Sequence, residues 1–121
     1  MMNEIFKYMV DGAINPVVIC DLNKKILYMN RVAVKYYSNG REMIGKPIEL
    51  FMSEETQSKV NMCIEWFKED VNNNSVFALH DKKDNTDIYM HAIRDPEGNL
   101  VAVCSHADSR TPDQNKTFDI D

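Results

Sequence analysis

The sequence predicts an α+β domain: an antiparallel sheet with its helices laid on one face. Three observations predict it. Two short β-branched runs joined by turn residues stand near the start, a block of helical periodicity follows, and three further extended runs close the chain. The length of 121 residues suits a single domain with one real core. A 44% hydrophobic and 27% charged composition is that of an ordinary globular protein.

Each element has a local reason. Ile5, Phe6, Met9 and Val10 recur at helical spacing, which predicts a helix over Asn3–Gly12, with Gly12 as a stop. Val17-Val18-Ile19-Cys20 reads as a strand, Asp21 to Lys24 as a turn, and Ile26-Leu27-Tyr28-Met29 as the returning strand of a hairpin. Asn30 is placed to cap a helix over Arg31–Tyr37, ended by Ser38-Asn39-Gly40. Arg41 to Ile44 adds a turn, and Pro47 prevents its continuation. Ser53 caps the longest helix, with Glu54 and Glu55 at its positive end. That helix runs to about Asp70, with Val60, Cys63, Ile64, Phe67 and Val71 along one face. Ser75–His80, Ile88–Arg94 and Leu100–Ala107 read as strands, the last two joined by the strong turn Asp95-Pro96-Glu97-Gly98-Asn99. Residues 1–13 are thus an N-terminal helix, 14–108 the core, and 109–121 a flexible tail or the start of a linker.

Composition excludes several functions. Fourteen basic against 19 acidic residues give a net charge of −5, which argues against nucleic acid or an anionic membrane as partner. No apolar run is long enough to span a bilayer, and no signal peptide is recognisable, so a cytoplasmic location is expected. Three scattered cysteines fit a reducing compartment, and no CxxC or HxxxH spacing supports a metal site.

Several short motifs carry a family resemblance. Asp21 followed by Ile26-Leu27-Tyr28-Met29-Asn30, then Glu42-Met43-Ile44-Gly45-Lys46, then Ala92-Ile93-Arg94-Asp95-Pro96-Glu97-Gly98-Asn99-Leu100, and finally Asp108 stand in order over about residues 2–110. Together they resemble the PAS (sensory-box) family, with Arg110 where the closing motif usually has Thr. The resemblance implies a five-stranded antiparallel sheet and a pocket between sheet and helices that holds a cofactor, a metabolite or nothing. It implies a sensory, signal-transducing module of the kind bacterial sensors carry, working through a small ligand, a dimer interface or a downstream signalling protein. The alternative is a ligand-free docking module whose bulky side chains fill the pocket.

Both faces of most strands are apolar, so periodicity leaves their orientation open. The resemblance points Val18, Cys20, Leu27, Met29, Phe77, Leu79, Tyr89, His91, Ile93, Ala102 and Cys104 inward. The pocket candidates are Cys20, Met29, Tyr37, Val60, Ile64, Phe67, Phe77, His91 and Cys104. Ile5, Phe6, Met9 and Val10 are the candidates for a homodimer interface. The cofactor is left unknown. Haem-binding members place an axial His on or just before the long helix, whereas residues 45–70 contain none. Photoactive flavin needs an Asn-Cys-Arg-type motif, and Cys63 stands in Asn61-Met62-Cys63-Ile64. Cys20, His91 and Cys104 could converge as metal ligands, but buried cysteines and a bonded His are the expected structural reading. Met29, Met43, Met52 and Met90 are the methionines that could line the pocket, with core filling the expected role. Met62 and Trp66 lie off the buried stripe of the long helix and are either covered by a loop or exposed to a partner. No catalytic residue is assigned. Asp21, Tyr37 and His91 include acid–base groups, but no nucleophile–base–orienter set is recognisable, so an enzyme built on His91 is a remote alternative.

Overall fold

The structure, a computed structural model, describes residues 2–115, 117 and 118. Helix α1 (Met2–Asp11) leads into the hairpin β1 (Val17–Cys20) and β2 (Ile26–Met29). Helix α2 (Arg31–Tyr36), two 3₁₀ turns (Gly40–Met43 and Ile48–Phe51) and helix α3 (Glu54–Glu69) follow. Strands β3 (Ser75–Asp81), β4 (Thr86–Arg94) and β5 (Leu100–Ser109) complete the chain. The sheet has the order β2-β1-β5-β4-β3, antiparallel throughout. The first and last strands in sequence therefore sit side by side at its centre.

Turn and cap chemistry acts as the residue types require. Asp21 Oδ1 accepts from the amides of Asn23 and Lys25, both at 2.9 Å, which folds the first hairpin and holds Lys24 at φ +67°. Ser53 accepts from Thr56 N (3.2 Å) at the start of α3. In the β4–β5 turn, Asp95 Oδ1 accepts from Glu97 N and Asn99 N, and Gly98 takes φ +88°, where a side chain would be strained.

The core lies between the sheet and the α2–α3 block. Phe67, Ile26 and Asn30 are its largest fully buried side chains, with Val18, Cys20, Met29, Ala33, Met43, Cys63, Ile64, Met90 and Val103 around them. Helix α1 lies on the other sheet face, where Phe6, Lys7 and Val10 meet Ile19 and Tyr28. It buries none of its residues fully.

Three expectations are corrected and one open question is decided. The second 3₁₀ turn was not anticipated, since Pro47 starts it rather than ending the helical block. Val71 is exposed, because α3 stops at Glu69 and Asp70 turns extended. Met62 is 68% exposed and Trp66 partly so, which decides the open question about them in favour of exposure. Strand β5 continues through the start of the expected tail to Ser109, and the residues 109–115 are exposed, with Arg110 paired to Asp87 at 2.9 Å. The remainder of that tail at Lys116 and 119–121, like Met1, lies outside the described residues.

Candidate functional site: a cavity between sheet and helices

A cavity of about 500 Å³ opens between the sheet and the helical block. Its inner wall is apolar: Val18 and Cys20 from β1, Tyr37 and Met43 after α2, Phe51, Val60 and Ile64 from the helical block, Ile88 and Met90 from β4, and Val103 from β5. Charged side chains, Lys24, Glu55, Lys59, Asp81 and Lys82, gather at its rim. Lys24 is held by Asn61 (2.9 Å) and Lys59 by Glu55 (3.6 Å).

The register explains which strand residues reach it, because directly paired residues share a face. Met90 pairs with Ser105 and Val76, Ser105 with Val18, and Val18 with Met29. This set faces the helices. Tyr89 pairs with His106 and Phe77, and His91 with Cys104 and Ser75, so these face the opposite way.

Of the sequence candidates, Cys20, Tyr37, Val60, Ile64 and Cys104 border the cavity. Cys104 does so as part of the β5 floor, since its register puts it on His91's face. Met29 and Phe67 are core residues outside the cavity wall. Phe77 and His91 are on the far face: Phe77 is 49% exposed and stacks on Tyr89. The expected phase of β4 is therefore off by one residue: Ile88 and Met90 face in, where Tyr89, His91 and Ile93 were expected. Ala102 pairs with Ile93 on the outer face, and Leu27 is 48% exposed. In β3 a bulge between Phe77 and Leu79 reverses the alternation, so Leu79 reaches the cavity although Phe77 does not. Cys20 and His91 lie on opposite faces and do not converge, which removes the weighed Cys–His–Cys cluster. Among the described residues no group of three or more His, Cys, Asp or Glu is arranged to hold a metal ion.

Sequence reasoning missed His80, Phe51, Ile48 and Ser105 in the wall. The unforeseen 3₁₀ turn brings Ile48 and Phe51, strand register locates Ser105, and His80, whose partner Asp87 shares the face of Tyr89, borders the cavity only as part of the β3 edge strand. His80 Nδ1 lies 2.9 Å from Asp87 Oδ1, and Asp87 in turn receives Arg110. The Arg110 guanidinium, followed by His80, holds the Asp87 carboxyl below its ordinary range.

The inner wall is uncharged at neutral pH. Burial, then the nearby Asp21, pushes the Cys20 thiol up to about 12. Burial, with Tyr36 and Asp81 adding to it, pushes the Tyr37 hydroxyl up to about 12. Both keep their protons, so the wall offers apolar surface plus the neutral hydroxyls of Tyr37 and Ser105.

A five-stranded antiparallel sheet with this order, α2 and α3 on one face and a cavity beneath them define a small α+β domain. The chain belongs to the PAS fold family, whose pattern it matches over residues 4–108. Among solved structures it is similar to a C-terminal domain from Streptococcus mutans, at 15% identity and TM-score 0.71, covering 91% of this chain and 86% of that one. A PAS domain from Colwellia psychrerythraea is 16% identical with TM-score 0.62, covering 92% and 98%. A sensory box sensor histidine kinase from Vibrio cholerae is 18% identical with TM-score 0.60, covering 88% and 90%. At these identities the likeness is one of fold. No curated protein was found to match. No helix among the described residues is long and apolar enough to cross a membrane.

Proposed function

We propose that this chain is a sensory module that takes one small, largely apolar and uncharged molecule into the cavity and passes the change to a partner surface. The observation that carries this reading is the open cavity with its neutral apolar wall. The filled-core alternative required bulky inward side chains, but Phe77 and Tyr89 stack together on the other face and Phe67 lies outside the wall. Apolar wall with a few hydroxyls is the composition of a small-molecule site. The surface for output is α1, whose stripe of Ile5, Phe6 and Met9 is 45–66% exposed and suits a second copy of the chain or a downstream signalling protein. Membership of the PAS fold family, typical of signal-transduction modules, supports the same reading. No catalytic step is part of this proposal.

The test uses N-phenyl-1-naphthylamine, an uncharged apolar dye whose fluorescence rises on burial. One dye per chain should bind, and Val60→Trp, which fills the cavity, should abolish binding while leaving the circular dichroism unchanged. Dye binding that survives Val60→Trp, or no binding by the unaltered chain, would sink the cavity as the ligand site.

A further inference from the structure

The sheet face opposite the cavity carries a chain of polar side chains that the proposed ligand site does not use. Ser75 Oγ lies 2.8 Å from His91 Nδ1, His91 Nε2 lies 2.7 Å from His106 Nδ1, and His106 Nε2 lies 3.1 Å from Asp108 Oδ2. Asn15 Nδ2 donates to the other oxygen of Asp108 at 2.8 Å. The two imidazole planes are within 7° and their centroids are 4.8 Å apart. That separation is close to the N···N distance plus two ring radii, so the rings meet edge to edge in nearly parallel planes rather than face to face. An edge-on N···N contact of 2.7 Å is a hydrogen bond. It leaves no room between the nitrogens for a metal ion.

We propose that His91 and His106 form a proton-binding site that couples pH to the junction between α1 and β1. With both rings neutral, every bond in the chain runs one way. The Ser75 hydroxyl donates to His91 Nδ1, His91 Nε2–H donates to His106 Nδ1, and His106 Nε2–H donates to Asp108. One added proton reverses the upper part without breaking it. His106 becomes the imidazolium beside the Asp108 carboxylate, His91 accepts at Nε2, and its proton moves to Nδ1 to donate to Ser75. A second proton cannot be accommodated, because two N–H groups would face each other at 2.7 Å on two cations. The rings must then part. Burial and the neighbouring His106 both disfavour a charge on His91, which agrees with this order.

The surroundings supply little to offset that repulsion. Tyr89 stacks on His106 at 5.2 Å, Cys104 is the strand partner of His91, and Val17 is that of His106. Among the described residues Asp108 is the one acid bonded to the pair. Asp87 is engaged by Arg110 and His80, and on α1 Asp11 is bonded to Tyr28, over whose ring Lys7 also lies. The route to α1 is short. Asn15 bonds Asp108 through its side chain, and its carbonyl accepts from Asn30, which also bonds the Val10 carbonyl at the end of α1.

The experiment is a histidine-ring NMR titration of the full chain between pH 8 and 4. His91 and His106 should titrate as a coupled pair in two steps more than about one pH unit apart, while His80 follows its own curve. The amide and side-chain signals of Asn15 should move with the lower step. His106→Gln should turn the His91 titration into a single step, with the His80 curve reporting an intact fold. Two independent single-step curves in the unaltered chain, or an Asn15 that does not respond to the lower step, would overturn the proposal.

Discussion

Asn30 bears more of the architecture than its size suggests. It is fully buried, and its Oδ1 accepts from Val17 N and Ala33 N, both at 2.9 Å. Its Nδ2 donates to the carbonyls of Val10 and Asn15, also at 2.9 Å. One side chain therefore caps α2, fixes the start of β1 and holds the end of α1. Its capping role was readable from the residue type and its place before a helix. Its two donor bonds were not, because they reach 15 and 20 residues back along the chain. Asn30→Ala should cost about 2–4 kcal/mol in urea denaturation, from a lost cap and buried groups left bare. Asn30→Asp separates the roles. It keeps the acceptor oxygen but sets a carboxylate against two carbonyls, so hydrogen exchange should rise in α1 while α2 stays protected. Equal loss in both helices would show that the capping and donor roles of this side chain do not separate.

Among the elements, α3 is tied to the sheet at two levels. Its Ile64 and Phe67 pack into the core, Phe67 with no exposed surface. Its C-terminal end is held by Arg94 of β4, whose guanidinium donates to the carbonyls of Phe67 (2.6 Å), Asp70 (3.1 Å), Asn73 (3.1 Å) and Gly98 (3.0 Å). The fork of a guanidinium reaches all of these at once, and a lysine ammonium cannot. Arg94→Lys should therefore lower stability by about 1.5–3 kcal/mol, and a change under about 0.5 kcal/mol would show the clamp to be dispensable. Strand existence and order along the chain were legible here, but strand phase was not. Residues Ile88 to Ile93 are apolar or aromatic on both faces, since one face meets the cavity and the other builds the row Phe77–Tyr89–His106. Without alternation no period-2 signal exists to read.

On the scale of the whole molecule, the unburied α1 stripe is the feature a lone chain leaves unexplained. If a second copy covers it, light scattering should give a dimer mass, and the double change Ile5→Glu with Met9→Glu should halve that mass without altering the circular dichroism. A dimer mass that persists would move the output surface elsewhere. The fold class, the hairpin, the caps and the closing turn were decided by residues close together in sequence, because hydrogen bonds within a few residues and helical periodicity express themselves locally. The five cavity residues identified in advance came from helices, from β1 and from the floor strand β5, while His91 and Phe77 were misplaced by a strand phase and a bulge. The far-face histidine chain joins residues from β3, β4, β5 and the α1–β1 connection. Only the tertiary structure decided which side of the sheet each strand shows, because an antiparallel register is set by pairing partners tens of residues away. A single-residue slip exchanges cavity wall for outer face.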